Sequence, residues 1–448
     1  MHRYLAFVCY IFFVGITSVV CAKTTTENSD VVMPHTEVLA YAKDLIKQGH
    51  LDDAKKALLL KPYNKKELEI ERLYLLAQIA TMEKRYDDAI DIYYYILNYE
   101  PNIPKIRFLL AELYLNQESW FRADYYYRSA LASKELPDDI QDRVLKAIYY
   151  IRQNKNWNVW VNFGIAPDNN INNASSGEQC VMTELGIVCN TLDSPDKSVG
   201  FNFSAGGDYE FKLSDHWRFR NEFVAYTSTY DDKEYNDVYL AYAGGAKYVY
   251  QFGDIFAGVT TSKRFVGNKS YNKSIGVRLD MNHDFTQKMT GNFQAYYSPT
   301  FYDSYKMLDG NLTGTRTRLI YSFDASKYLV LRAGFEHEKT KDKTYTNNKI
   351  NYAIGFGSEL MYGFHAYIEP SVVHTNYQGK RWTVKNLDFK KVKEKDITKR
   401  ISISLSNRNI SFWGMMPVLT YSYTRKDSNI WQREYHKSAI ELSVTKRF

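Results

Sequence analysis

The sequence predicts an α+β chain of two domains, an N-terminal α-solenoid followed by a transmembrane antiparallel β-barrel of about 14 strands. Three observations lead to this fold class. A helical pattern repeats at intervals of 34 and 35 residues across residues 36–153. Polar and apolar residues then alternate in short segments across residues 156–448. Finally, 16% of the residues are aromatic although the mean hydropathy is −0.45, which is typical of aromatic girdles around a polar lumen.

Residues 1–22 have the features of a secretory signal peptide. Arg3 supplies the positive charge, Leu5–Val20 is apolar, and a small-residue cleavage site ends at Ala22. The apolar stretch is short for a membrane-spanning helix, which needs about 20 residues. We therefore expect an exported chain whose mature N-terminus, residues 23–35, is flexible. The alternatives are an uncleaved anchor helix and a lipid attached at Cys21.

Alanine recurs at two positions of each helical copy. These residues are Ala42, Ala77 and Ala111 at the first position, and Ala54, Ala89 and Ala123 at the second. A bulky residue follows the second alanine by four positions: Leu58, Tyr93 and Tyr127. Small residues let paired helices approach closely, so this 34-residue unit resembles the tetratricopeptide repeat. Three copies and a final helix after Pro137 would bury a continuous core.

The inner face of such an array comes mainly from the first helix of each copy. Spacing assigns five side chains to that face: Lys43, Tyr74, Gln78, Phe108 and Glu112. Arrays of this type commonly bind peptides or proteins, so we expect these residues to dock a client. The alternative is that they form plain solvated surface or pack against the barrel.

The alternation in residues 156–448 has a period of two, which places one set of side chains on each face of a strand. In one segment Tyr352, Ile354 and Phe356 form the apolar set. A membrane barrel turns this set toward lipid and the polar set toward the lumen. By the same alternation, we expect five charged residues in the lumen: Arg318, Arg332, Glu359, Arg400 and Glu441.

Fourteen such segments can be counted, an even number as in single-chain bacterial barrels. Short connections alternate with long ones. The long connections are predicted at residues 167–197, 230–236, 339–348, 378–396 and 426–434. Short turns of these barrels face the periplasm and long loops face the exterior. The helical domain and the C-terminus are therefore expected in the periplasm.

Two cysteines follow the signal peptide, Cys180 and Cys189, inside a polar segment. In an exported chain they predict one disulfide that closes a small loop, worth about 2–3 kcal/mol. No histidine or second cysteine pair lies at ligand spacing, so no metal site is predicted. The lysine-rich stretch Lys385–Arg400 also contains Asp388, Glu394 and Asp396, which favours a solvated loop over a nucleic-acid site.

The sequence lacks the common signatures of catalysis and cofactor binding. G-x-S-x-G, H-E-x-x-H, phosphate-binding loops and dinucleotide-binding glycines are all absent from it. The histidines of the barrel region are scattered, without a serine or aspartate at motif spacing. We therefore expect a protein that is not an enzyme and needs no cofactor.

The start of the barrel carries the most specific local pattern. A strand containing Trp157 and Trp160 runs into a polar motif formed by Pro167, Asp168, Asn169, Asn170, Ile171 and Asn172. Together with the helical repeats, this strand and motif resemble the surface lipoprotein assembly modulator (Slam) family. The resemblance implies a 14-stranded barrel in the outer membrane of a Gram-negative cell, with a periplasmic tetratricopeptide domain.

The resemblance also implies a function in protein transport. The clients would be surface lipoproteins, or soluble haem- or iron-scavenging proteins, that reach the cell surface from the periplasm. Periplasmic chaperones would deliver the client, and outer-membrane lipid would surround the barrel. Two alternatives share the architecture: an exopolysaccharide exporter with tetratricopeptide repeats, and a porin or nutrient receptor.

Overall fold

The computed structural model describes residues 33–59, 63–133, 136–175, 178–183, 186–191, 194–385 and 388–447. The predicted signal peptide lies outside the described residues. The described residues form two compact units, one before and one after residue 61. None of the described helices is long and apolar enough to span a membrane.

Seven α-helices come first along the described chain. The first unit contains α1 (His35–Gln48) and α2 (Leu51–Leu59). The second unit begins with α3 (Lys66–Met82), α4 (Tyr86–Tyr99), α5 (Pro104–Asn116), α6 (Trp120–Leu131) and α7 (Asp138–Asn154). Helices α3 to α7 share one hydrophobic core, which includes Leu110, Tyr114 and Val144.

The repeated small and bulky positions are all buried. Each of the six recurring alanines is 0% exposed, and Leu58, Tyr93 and Tyr127 are at most 2% exposed. The turns between paired helices repeat as well. Gly49, Lys84 and Glu118, at intervals of 35 and 34 residues, have φ angles of 82°, 60° and 54°. Only the first copy uses glycine for this left-handed position, which non-glycine residues adopt at some cost in energy.

Fourteen strands follow and close into one antiparallel barrel, in which the first strand pairs with both the second and the last. The barrel strands up to β9 are β1 (Trp157–Asp168), β4 (Ser198–Lys212), β5 (Trp217–Thr229), β6 (Asp237–Tyr250), β7 (Gly253–Val266), β8 (Lys269–Thr286) and β9 (Met289–Tyr302). The others are β10 (Gly310–Ser322), β11 (Lys327–Thr340), β12 (Asn347–Glu359), β13 (Phe364–Lys385), β14 (Asp388–Asn407), β15 (Met416–Ser428) and β16 (Tyr435–Arg447). The predicted fold class and strand number are therefore confirmed.

The apolar side chains of the barrel point away from its centre. On β12, Tyr352, Ile354 and Phe356 are 46%, 55% and 41% exposed, whereas Gly355 and Gly357 between them are buried. The lumen side is identified by contacts that cross the interior. Side chains of strands separated by two others can meet only on the concave face of a closed sheet. An example is the ion pair between β5 and β8 described below.

Two predicted loops contain strands. The segment at residues 167–197 includes the hairpin of β2 (Glu178–Thr183) and β3 (Gly186–Thr191), in which Cys180 is paired with Cys189. Facing residues of an antiparallel pair lie about 4.5–5.5 Å apart at Cα, within the range that disulfides span. The two cysteine side chains lie outside the described part of the structure, so the disulfide stays a prediction.

The segment 378–396 is also not a loop. Instead, β13 and β14 pair across nearly its whole length, so these strands have 22 and 20 residues. The other barrel strands have 12 to 18 residues. The sequence failed here because lysines occupy one alternating set, so the apolar signal of a strand is missing. A register shift between Asn376 and Lys380 marks the start of the extension.

Candidate functional site

The candidate functional site is the lumen of the barrel together with the helices at one of its ends. We call this the helix end; its turns include residues 213–216, 251–252, 287–288, 323–326, 360–363 and 408–415. The loop end carries the longer connections, such as residues 169–197, 230–236 and 303–309. Three groups of charged side chains join helices α5 to α7 to the helix end.

The first group surrounds Glu359, the last residue of β12. Arg107 of α5 donates two hydrogen bonds to its carboxylate, at 3.1 Å and 2.7 Å. Arg408 Nη1 donates a third at 3.0 Å, and the Tyr125 hydroxyl of α6 donates a fourth. Arg107 is 0% exposed and also binds the Pro101 carbonyl oxygen. We call this the Glu359 cluster; it joins two helices to two turns of the barrel.

The charge of Glu359 is what allows an arginine to be buried in this place. Burial alone would lower the pKa of Arg107, because desolvation penalises the charged form. The carboxylate of Glu359 outweighs burial and raises the pKa of Arg107 above its usual value. Arg107 therefore stays charged, and removal of the carboxylate would leave a buried cation without a counter-ion.

The second group surrounds Asp284, near the end of β8. Arg128 of α6 binds one carboxylate oxygen at 2.7 Å, and Arg152 of α7 binds the other at 2.6 Å. Arg152 also donates to the backbone oxygen of Gln251 at 2.5 Å, in the turn between β6 and β7. This Asp284 cluster connects α6 again, and α7 in addition, to two further turns.

The third group lies where α7 passes into β1. Arg218 of β5, 2% exposed, donates to the backbone oxygens of Gln153 and Lys155 at the end of α7. A cation at a helix C-terminus also interacts favourably with the helix dipole. Glu210 binds Arg218 at 3.2 Å and Lys247 at 2.7 Å, so the carboxylate is shared by two cations.

Two cavities lie in the lumen. The larger, about 570 Å³, lies on the side of the loop end and is lined by residues such as Tyr226, Arg264 and Tyr302. The smaller, about 390 Å³, lies beneath the helices and is lined by residues such as Trp120, Phe121 and Arg152. Its walls therefore come from both the helices and the barrel.

Charged side chains and one aromatic ring separate the two cavities. Phe256 of β7 is 0% exposed, and the guanidinium groups of Arg220 and Arg278 lie 5.5 Å and 5.2 Å from its ring centre. Arg278 of β8 binds Glu222 of β5 at 2.7 Å, which is the ion pair across the interior. Arg220 lines the smaller cavity, whereas Glu222 and Arg278 line the larger one. We call these four residues the Phe256 layer.

The predicted lumen residues have different surroundings. Arg332 binds Glu369 on β13, and Arg318 lines the smaller cavity. Arg400 is exposed, and Glu441 lies against β1, where a Cβ on Gly164 would come within 2.6 Å of its carboxylate. Glu359 was predicted to line the lumen, but its carboxylate is not open to solvent there. Its carboxylate is occupied by Arg107, Arg408 and Tyr125 at the helix end.

The four predicted docking residues of the second unit do not form one open surface. Phe108 lies in the helical core at 7% exposure, with Arg143 5.3 Å from its ring centre, so its assignment to an open face was wrong. Apolar side chains of the helical core bury it. Glu112 accepts a hydrogen bond from Tyr127 at 2.7 Å. Tyr74 and Gln78 bind each other at 2.8 Å. Lys43, on α1 of the first unit, is exposed.

The polar motif after β1 has a structural part in closing the barrel. Asn170, 1% exposed, donates to the backbone oxygens of Ala174 and His436 at 3.0 Å and 3.2 Å. Asn169 accepts from the Ser438 amide, and Asp168 binds Lys437 at 3.3 Å, so the motif holds the loop end of β1 to β16.

The other residues of the motif, and the two tryptophans of β1, also have defined contacts. Pro167 pairs with Val199 of β4, and Asn172 binds Asp196 at 2.8 Å. The Ile171 amide donates to the Asp196 oxygen. Trp157 is 42% exposed, whereas the Trp160 ring lies on the lumen side against Gly206.

The comparison with known proteins agrees with this architecture. The model of the surface lipoprotein assembly modifier family matches residues 157–448, which is the whole barrel. The chain belongs to this family. A closed barrel with apolar side chains outside, in a member of this family, is located in the outer membrane of a Gram-negative cell. The family name describes an assembly function rather than catalysis.

Relatives match over most of their length. Surface lipoprotein assembly modifier 1 of Haemophilus influenzae is 25% identical over 382 residues, covering 83% of this chain and 76% of that protein. The surface lipoprotein assembly modifier of Pasteurella multocida is 23% identical and covers 95% and 87%. Surface lipoprotein assembly modifier 1 of Neisseria meningitidis serogroup B is 23% identical and covers 84% and 75%.

Sequence reasoning missed the residues that join the helices to the barrel. Arg107, Arg128, Arg152 and Asp284 carried no motif. One signal was available for Arg107, because it lies between Ile106 and Phe108 in an apolar helix. A buried arginine requires an anionic partner. Its partner lies 252 residues away, and no periodic pattern relates the two positions. Among the described residues, no group of three or more His, Cys, Asp or Glu could hold a metal ion.

Proposed function

We propose that this chain carries surface lipoproteins from the periplasm to the cell surface, with helices α3 to α7 receiving the client at the mouth of the lumen. The fixed attachment of these helices to the helix end carries the proposal. Three separate ionic groups hold α5, α6 and α7, which share a core with α3 and α4. The helical surface and the lumen are therefore presented to a client as one continuous path.

The orientation follows from the connections. Six turns at the helix end have two to eight residues, and the loop end carries the long connection with its own hairpin. In outer-membrane barrels the short turns face the periplasm. We therefore infer that the helices lie in the periplasm, where a lipoprotein awaiting export would be found.

The smaller cavity is suited to a polypeptide in an extended form. Trp120 and Phe121 contribute aromatic surface, and Asp124, Arg128 and Lys155 contribute charges of both signs. Such a mixed lining can bind side chains and backbone without requiring one sequence. Burial lowers the pKa of Lys155, which reflects how far the junction of α7 and β1 is withdrawn from water.

The Phe256 layer lies across the route that a client would take through the barrel. Because its side chains fill the space between the two cavities, a client that threads the lumen would have to displace them. Ion pairs between side chains can be exchanged for contacts with a polar client, whereas an apolar plug would offer no such exchange. We propose that client folding at the surface supplies the driving force, and that a periplasmic chaperone delivers the client unfolded.

The same path could serve a soluble haem- or iron-scavenging protein. Both cavities have charged and polar side chains in their walls, which could bind a client without a lipid. We propose lipoproteins as the principal clients because the family and its relatives carry that name.

The proposal is tested by protease treatment of intact cells. The chain is co-expressed in a laboratory Gram-negative host with lipoproteins from neighbouring genes, and a periplasmic marker controls for cell integrity. We expect the protease to remove the client only when the full chain is present. A variant lacking residues 36–152 should insert its barrel but leave the client protected. Equal digestion with and without those residues would refute the docking role.

A further inference from the structure

The extension of β13 and β14 has two unlike faces. One face is directed toward the lumen axis, and its two buried carboxylates are paired with cations. Arg381 binds Glu394 at 2.6 Å, and Lys426 binds Asp396 at 2.7 Å. The guanidinium group of Arg381 also lies 4.7 Å and 4.9 Å from the ring centres of Tyr345 and Tyr377. Glu394 and Asp396 are 1% and 3% exposed, so these two carboxylates are neutralised and fixed in place.

The other face of the extension is basic, aromatic and exposed. It consists of Lys380, Trp382, Lys391, Lys393 and Lys395, and we call it the lysine face. Its members are brought together by the pairing of Lys380 with Lys393 and of Trp382 with Lys391. Lys391 Nζ lies 4.9 Å from the Trp382 ring centre, and Trp382 is 62% exposed. Within the described part of the chain, none of these four lysines has an ion-pair partner.

The lysine face continues the side of β14 that faces lipid. Ile403 and Leu405 on β14 are 45% and 41% exposed. They lie on the same side of β14 as Lys391, Lys393 and Lys395, because all five positions are odd-numbered and β14 contains no bulge. Charged side chains begin on this side at Lys399, which pairs with Asp427 at 3.0 Å just beyond Ile401. The lysine face continues this charged region away from the apolar surface, and it points sideways rather than over the lumen.

We propose that the lysine face binds the phosphate-bearing headgroups of lipids in the membrane leaflet at the loop end. Clusters of lysine beside a membrane attract anionic lipid, and tryptophan favours the interface between headgroups and water. An acidic protein client is the rival occupant. The sideways direction of the face and its continuity with the lipid-facing surface favour lipid, since a client leaving the lumen would meet the opposite face.

The proposal goes beyond client transport and does not depend on it. Binding would fix the lateral and vertical position of the barrel on its β13–β14 side and order the lipid there. The ligand class is a lipid with one or more phosphate groups, and a lipid with two phosphates should bind better than one with a single phosphate.

The test measures lipid A retained by the full chain. The protein is reconstituted in zwitterionic bilayers that contain a small fraction of lipid A, purified in mild detergent and assayed by mass spectrometry. Replacement of Lys380, Lys391, Lys393 and Lys395 by glutamine should reduce the retained lipid A about tenfold. The matched control replaces four exposed lysines elsewhere at the loop end: Lys197, Lys233, Lys269 and Lys306. It should retain lipid A as the unmodified chain does.

Two further arms define the ligand. Monophosphoryl lipid A should be retained less than lipid A by the unmodified chain, and arginine at the four positions should preserve retention. Equal retention by the glutamine variant and its control, both migrating as folded barrels, would overturn the proposal. So would a glutamine variant that keeps lipid A but no longer binds a co-expressed lipoprotein, because the face would then belong to a protein partner.

Discussion

Glu359 shows how much of the arrangement depends on single residues. Its carboxylate neutralises Arg107 and Arg408 and accepts the hydroxyl of Tyr125. A buried ion pair adds little net stability when it is compared with an apolar pair, but removal of one partner costs about 3–5 kcal/mol. The cluster therefore contributes more to the position of the helices than to the stability of either part alone.

We predict that Glu359→Gln weakens the attachment of the helices by about 3 kcal/mol, because Arg107 loses its counter-ion. The measurement is the urea concentration at which the helical circular dichroism signal of the full chain is lost. The barrel signal should stay intact at that concentration. Glu100→Gln is the control, since Glu100 pairs with Lys66 at 3.2 Å with both side chains more than 40% exposed. An unchanged midpoint for Glu359→Gln would contradict the attachment described here.

Asn170 is the corresponding residue at the loop end. Its side-chain amide binds two backbone oxygens and accepts from the Ala174 amide at 2.8 Å. Asn170→Ala should lower barrel stability by about 1–3 kcal/mol, because buried backbone groups lose their partners. The temperature at which the folded barrel loses its mobility shift in gel electrophoresis measures this effect. Ser194→Ala, at an exposed position of the same loop, should leave the temperature unchanged.

At the scale of the element, the helical repeat depends on small residues at fixed places. Ala111 and Ala123 are both 0% exposed, and α5 packs against α6 where they lie. Ala111→Leu should overpack this contact and cost about 1–3 kcal/mol. Hydrogen exchange of the α5 and α6 amides in the full chain would rise accordingly. Lys146→Leu, at an exposed position of α7, is the control with the same new side chain. Similar exchange in both variants would show that the close packing of α5 and α6 is unimportant.

Elements were predictable where one physical pattern determines them. The alternation of Ile354 and Phe356 with glycine reveals a strand with one apolar face, and the spacing of Ala42, Ala77 and Ala111 reveals paired helices. The extension of β13 and β14 was missed because Lys391, Lys393 and Lys395 alternate with residues that are not consistently apolar. Backbone pairing between β13 and β14 forms the extension, and a hydropathy pattern gives no information about such pairing.

Contacts between distant elements were not predictable. Arg107 and Glu359 are each recognisable as a charged residue in an otherwise regular element. Which cation meets which carboxylate depends on how the helices lie on the barrel. The division into domains at residues 153–156 likewise stays a prediction, because helices α3 to α7 belong to the same compact unit as the barrel.

At the scale of the whole molecule, the account requires that the barrel turn its apolar side chains toward hydrocarbon. Ile403 is 45% exposed on the outside of β14, and its neighbour Ser402 lies on the lumen side. Ile403→Arg should cost about 2–4 kcal/mol of stability in the bilayer, whereas Ser402→Arg should cost much less. Reconstituted protein unfolded by denaturant in defined bilayers measures both. A greater loss for Ser402→Arg would reverse the assignment of inside and outside.

The joining of helices to lumen is the central claim, and the display of a lipoprotein tests it most directly. Cells would carry the double variant Glu359→Gln and Asp284→Asn, which leaves both parts of the chain present but removes two of the three ionic groups. Protease added to intact cells then reports how much client is at the surface. The account predicts a severalfold loss of surface client with the amount of inserted barrel unchanged, while Glu100→Gln has no effect. Full display by the double variant would contradict it.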